Sequence, residues 1–310
     1  MTDAAPRGDP AERGDRGYPR GGLSHGVDVQ GHRGARGLVP ENTVAGFRAA
    51  IDAGCTGVEL DVRLTADGEV VVWHDPTLQD DKCVCEGADL VGARIDALTL
   101  EQLRTVDVGS RTLAAYPRQR AVPGARIVTL AELFTECSDA GELWWTIEVK
   151  VDPTDPREVA TRPTLVERVV EVIHASGVAD RSFVHSFDWA VLQLAQQLDA
   201  TLLCSALAVI GHTYAPGSPW LGTLRWEDHG SDLPAAAAAL GASVLSPHFL
   251  LCTPDLVARS HELGLAVLPW TVNSAQDVRR VIGAGVDGLV TDVPDEVLAL
   301  MADSRPPGLP

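Results

Sequence analysis

Leu143-Trp144-Trp145-Thr146-Ile147-Glu148-Val149-Lys150 reads as a buried strand that ends in two opposite charges. Side chains two apart on a strand share a face, so Glu148 and Lys150 point the same way. Upstream, Gly57 to Leu64 repeats the arrangement, with Glu59 and Asp61 as a second same-face pair. Two more runs end alike: Val27 to Gln30 leads into Gly31-His32-Arg33-Gly34, and Val70 to Trp73 leads into His74-Asp75. Each run ends in groups that can bind a metal, move a proton or hold an anion. Together they describe one site assembled from the ends of separate strands.

Outward from these runs, strands and helices alternate. Further strands are expected at 183–187, 201–206, 243–247, 266–272 and 288–291. Helices are expected at 41–53, 163–176, 188–198, 233–240, 254–263, 275–283 and 294–302, with Thr129 to Cys137 in the same ring. Such alternation implies a parallel sheet, and about eight repeats around one core favour a closed TIM-type (β/α)8 barrel. No glycine-rich dinucleotide fingerprint follows the first strand, which weakens the open doubly wound alternative. The strand-like runs number one more than a barrel needs. The link between Gly57–Leu64 and Val70–Trp73 is too short for a crossover helix, so one run is a hairpin partner or lies outside the barrel.

Residues 76 to about 127 break the rhythm and read as a small inserted cap segment, with one helix over Thr99–Val106. Residues 1–26 are rich in Gly, Pro, Asp and Arg and are expected to be a disordered tail. The barrel is expected over 27–302, and 303–310 form a second tail.

The net charge of −18 argues against nucleic acid or an anionic membrane as a partner, and a bound cation would still admit a small phosphate substrate. There is no signal-peptide core and no stretch apolar enough to span a bilayer, so a soluble, cytoplasmic protein is expected. Six cysteines fit a reducing compartment. The Cys83-Val84-Cys85 pair lacks further ligands at zinc-site spacing. Composition is silent on oligomeric state.

Three carboxylates without a thiolate point to a hard divalent ion, Mg²⁺ or Ca²⁺. Arg33 and Lys150 suit the remaining phosphate oxygens, and two histidines supply a base and an acid near neutral pH. His185 and His248 lie near strand ends and could line the pocket. His174, His212, His229 and His261 match no motif and read as surface or structural residues.

In order along the chain, His32-Arg33-Gly34, Pro40-Glu41-Asn42-Thr43 with Phe47, Glu59-Leu60-Asp61-Val62, His74-Asp75, Glu148-Val149-Lys150, Trp270-Thr271-Val272-Asn273 and Thr291-Asp292-Val293-Pro294 resemble the glycerophosphodiester phosphodiesterases. The resemblance implies a TIM-type barrel and metal-dependent hydrolysis of glycerophosphodiesters to sn-glycerol 3-phosphate and an alcohol. It implies Glu59, Asp61 and Glu148 as ligands of one divalent cation, Mg²⁺ or Ca²⁺, and His32 and His74 as the general acid/base pair. It further implies Arg33 and Lys150 as phosphate contacts and Trp270 as a substrate-facing aromatic. Glu41 and Asn42 fall in its second signature, where helix capping and support of the site are expected. A phospholipase D-like hydrolase of lysophospholipids or sphingomyelin on the same barrel is the alternative. A non-catalytic binding protein on the scaffold would leave this full set of groups unexplained.

Overall fold

The strands, numbered in chain order, are β1 Asp28–His32, β2 Gly57–Leu64, β3 Val70–Val72, β4 Val84–Cys85, β5 Val106–Asp107 and β6 Trp144–Val149. They continue as β7 Ser182–Ser186, β8 Leu203–Ala208, β9 Val244–Pro247, β10 Ala266–Val267 and β11 Gly288–Thr291. This computed structural model describes residues 26–85 and 89–303. The tails assigned to 1–26 and 303–310 lie outside the described residues, apart from Gly26 and Asp303.

Eight of the strands run parallel in the order β10-β9-β8-β7-β6-β2-β1-β11. The ring closes through single hydrogen bonds, from the Asp287 N–H to the Val267 carbonyl (3.1 Å), Val290 to Pro269 (2.9 Å) and Val272 to Val290 (2.8 Å). The strand expected over 266–272 is regular only at Ala266–Val267. Pro269 has no N–H to donate, so the ladder breaks into separate bonds there. The surplus run is β3, which folds back on β2 as an antiparallel hairpin and pairs Val62 with Val72. This return carries His74 back to the level of Asp61 in β2, where the Trp73 N–H meets the Asp61 carbonyl at 3.0 Å.

Helices α1 Val44–Ala53, α3 Leu130–Glu136, α4 Pro156–Ala175, α5 Trp189–Leu198, α6 Leu233–Leu240, α7 Pro254–Glu262, α8 Ala275–Gly283 and α9 Pro294–Asp303 surround the ring, while α2 Leu100–Leu103 sits in the segment 76–127. Two starts differ from the expected ones by more than a residue. α1 begins at Val44 rather than 41, because the Thr43 hydroxyl caps the Gly46 N–H and Asn42 has a left-handed φ of 55°. α4 begins at Pro156 rather than 163: Asp155 caps it, Pro156 fits its first turn, and the helix absorbs Pro163 in its interior. The helix expected over 99–106 ends at Leu103, and Val106–Asp107 instead pairs with Val84–Cys85.

Alternate strand residues divide two cores. Val58, Leu60 and Val62 of β2 face the helices with Phe47, Ile147 and Val149. Residues of the opposite parity face the barrel interior. Register joins Asp61, Glu148, His185, Ser205, Val244 and Ala266 in one continuous row around the ring. A neighbouring row joins His32, Glu59, Thr146, Phe183 and Leu203. A separate apolar cluster, including Val71, Trp73, Leu78, Cys83, Ile95 and Ile127, ties the segment 76–127 to β3.

Candidate active site

The turn after β1 is built on two glycines. A Cβ on Gly31 would lie 2.3 Å from the Gly34 carbonyl oxygen, and one on Gly34, at φ +85°, would lie 2.5 Å from the Gly46 backbone. Only glycine fits either position. The tightness turns the Arg33 N–H onto Glu59 Oε2 at 3.0 Å and sets the Arg33 guanidinium between Glu41 (Nη1–Oε1 2.9 Å) and Asp61 (Nε–Oδ2 3.2 Å).

The structure brings Glu59, Asp61 and Glu148 together, with one carboxylate oxygen from each lying within 4.8 Å of the others. All three are buried. Lys150 Nζ lies 2.7 Å from Glu148 Oε1 and 3.2 Å from Asp61 Oδ1. Asn42 donates to Asp61 Oδ2 at 2.8 Å. Asp61 Oδ1 is buried yet accepts no hydrogen bond. Burial, Asp61 and Glu148 push the Glu59 carboxyl well above its usual range. Burial acts the same way on Asp61, but Arg33 and Lys150 overcome it and hold that carboxyl well below. Three close buried carboxylates suit a hard divalent ion, which would allow all three to ionise.

Two histidines approach from strands that both pair with β2. His32 Nδ1 lies 2.6 Å from Asp292 Oδ1, and its Nε2 lies 3.8 Å from Glu59 Oε2. Asn273 (2.7 Å) and the Tyr116 hydroxyl (3.1 Å) donate to the other Asp292 oxygen. His74 Nδ1 lies 3.0 Å from Asp75 Oδ1, and Lys82 bridges Asp75 to Glu41. Burial lowers the basicity of both imidazoles, while Asp292 opposes this at His32 and Asp61 opposes it at His74. His74 is the more open, 27% exposed against 12%.

Trp270 is half-buried. Its indole N–H donates to the Ser246 carbonyl at 3.0 Å, and its ring meets Phe187 and His248 edge to face. His185 lies inside the barrel, bonded to Ser205 Oγ at 2.8 Å, and burial lowers its pKa to about 4. His174 and His261 pair with Asp199 and Asp287. Glu41 and Asn42 do not cap a helix; they hold Arg33 and Asp61. Asp292, Asn273, Tyr116, Lys82 and Arg36, which pairs with Glu41 at 3.2 Å, carried no assigned role in the sequence. Only Asp292 and Asn273, which lie inside family motifs, offered a signal. Beside His74, Glu148 and Lys150 opens a cleft of about 270 Å³.

The model of the glycerophosphoryl diester phosphodiesterase family matches residues 32–296. The chain belongs to this family. A glycerophosphodiester phosphodiesterase of Caldanaerobacter subterraneus subsp. tengcongensis is 31% identical over 88% of this chain and 97% of its own. A crystal structure from Silicibacter pomeroyi DSS-3 carrying the same family name superposes with a TM-score of 0.81 at 34% identity, covering 91% of this chain and 95% of that one. An Oleispira antarctica phosphodiesterase, solved with its product sn-glycerol-3-phosphate, shares the fold at a TM-score of 0.70 and 23% identity, covering 89% and 96%. As a family member the chain is a phosphoric diester hydrolase on a (β/α)8 barrel. No helix among the described residues is long and apolar enough to cross a membrane.

Proposed function

We propose that this phosphodiesterase hydrolyses glycerophosphodiesters to sn-glycerol 3-phosphate and an alcohol, with one divalent cation, Mg²⁺ or Ca²⁺, and a histidine pair. The observation that carries the reading is the pairing of each imidazole Nδ1 with its own carboxylate beside the buried triad. A carboxylate on Nδ1 fixes the ring's orientation and leaves Nε2 to exchange protons. Glu59, Asp61 and Glu148 would hold the ion, which neutralises phosphate charge and polarises the phosphorus when bound. Arg33 and Lys150 would contact the phosphate oxygens, and Trp270 would face the substrate.

In the proposed sequence, His32 Nε2 takes the proton of the glycerol hydroxyl next to the phosphodiester. That oxygen attacks phosphorus, and His74 gives its proton to the departing alcohol oxygen. The cyclic phosphate is then opened by water with the roles reversed, which returns both imidazoles to their starting states. The internal route gains from proximity. A diester whose neighbouring hydroxyl is replaced by hydrogen is therefore expected to bind but hardly react, and its hydrolysis at normal rate would require direct attack by water.

The test of the overall reading is release of glycerol 3-phosphate from glycerophosphodiesters, against release of choline from a lysophospholipid, with and without divalent metal. Choline from the lipid alone would favour the phospholipase D-like alternative. We place the protein in the cytoplasm on its six unpaired thiols, and expect a small-molecule substrate rather than nucleic acid or a membrane surface.

A further inference from the structure

The cleft beside the triad is lined by His74, Glu148 and Lys150 but not by His32. If His74 protonates the leaving alcohol, this cleft receives the leaving group, and that role for the cleft rests on the function proposed above. Phe187 and Trp220 line the cleft as well, and Trp270 adjoins Phe187. Trp270 meets Phe187 edge to face at 5.3 Å, and Phe187 meets Trp220 in the same way at 6.2 Å. All three rings are partly exposed, although nothing in barrel packing requires three aromatics in series at a loop surface.

The cleft lining also carries charge, and most of it is already neutralised. Arg63 pairs with Glu158 at 3.1 Å and donates to the His74 carbonyl at 2.7 Å. Arg94 pairs with Asp155 at 2.9 Å and with Asp96 at 2.8 Å, and Lys150 pairs with Glu148. Asp152 differs. Its Oδ1 accepts from the Thr154 N–H and hydroxyl, at 2.8 and 2.7 Å, and its carboxylate has no cationic partner among the described residues. A cleft with aromatic lining, an unpaired carboxylate and no spare cation is matched to a positive ligand.

We infer that Trp220, Phe187 and Asp152 form a leaving-group pocket for an alcohol that carries a quaternary ammonium, so that glycerophosphocholine is the preferred class of substrate. The ammonium would face the rings through its methyl groups, drawn to their negative faces, with Asp152 supplying the countercharge. A neutral polyol leaving group would gain neither contact.

The test compares kcat/KM for glycerophosphocholine with that for the 3,3-dimethylbutyl diester, in which carbon replaces nitrogen at equal shape. The charged substrate is expected to be favoured by about tenfold. Trp220→Leu and Asp152→Asn should each bring the ratio toward one. Tetramethylammonium should compete with glycerophosphocholine in the unaltered enzyme, whatever the folding of the variants. A ratio near one in the unaltered enzyme, a ratio that survives both substitutions, or no competition by tetramethylammonium overturns the inference. If all glycerophosphodiesters are hydrolysed equally, the headgroup inference fails alone. If none is hydrolysed, the function proposed above fails and the inference with it.

Discussion

Asp61, Glu148 and His185 lie on the same hydrogen-bonded row as Val244 and Ala266, yet the two halves of that row do opposite work. The first half, on β2, β6 and β7, is charged or ionisable. The second, on β9 and β10, is apolar and packs with Phe183, Leu268 and Val290. Backbone geometry is common to both halves, so the difference lies in side-chain chemistry alone. An apolar wall keeps water out of the barrel and strengthens each interaction on the charged side. The charged side tolerates its own burial only because Arg33, Lys150 and the Asn42 amide offset most of its repulsion.

The largest effect that could break this contrast is removal of the divalent ion proposed for the triad. Chelation should abolish hydrolysis, and Mg²⁺, Mn²⁺ or Ca²⁺ should restore it. Glu59→Ala should stay folded by circular dichroism but lose metal in calorimetric titration. Full turnover by metal-stripped protein would sink the claim.

Next come the histidines. His32→Ala and His74→Ala should each lower kcat by about 10²–10⁴-fold. A p-nitrophenol leaving group needs little protonation, so the His74 variant alone should recover on that substrate. Equal responses from the two variants would show that the division of roles is wrong.

Asp292→Asn sharpens the comparison more gently. Burial lowers the His32 pKa, and Asp292 pulls it back up through its hydrogen bond and charge. Without that charge the imidazole should stay neutral to lower pH. The acid limb of the kcat–pH profile should then move down, while kcat itself falls. A limb that moves up would contradict the pairing. On the apolar half, Val244→Ala should cost stability of about 2 kcal/mol and leave kcat near normal. A large loss of kcat with unchanged melting would show that the two halves are not separate.

The barrel was legible in the sequence because its signals are local. Glu59-Leu60-Asp61 and Glu148-Val149-Lys150 show which residues share a face, since the period of a strand is two. The hairpin was half legible: Thr65 to Glu69 is too short for a crossover, so Val70–Trp73 could not be the next parallel strand. Boundaries were less legible. Thr43 is a visible cap, but the left-handed Asn42 before it, which excludes Glu41 from the helix, follows from its bond to Asp61.

What the sequence determined by itself is the parallel barrel and the residue types at its strand ends. Tertiary structure alone decided the partnerships. His32 meets Asp292 across 260 positions, Tyr116 meets the same carboxylate across 176, and Lys82 reaches Glu41 across 41. It also decided that His185 shares a row with Glu148. Periodicity reports the direction of a side chain within its own strand. Register and closure set which strand ends face one another, and these depend on the packing of the whole ring.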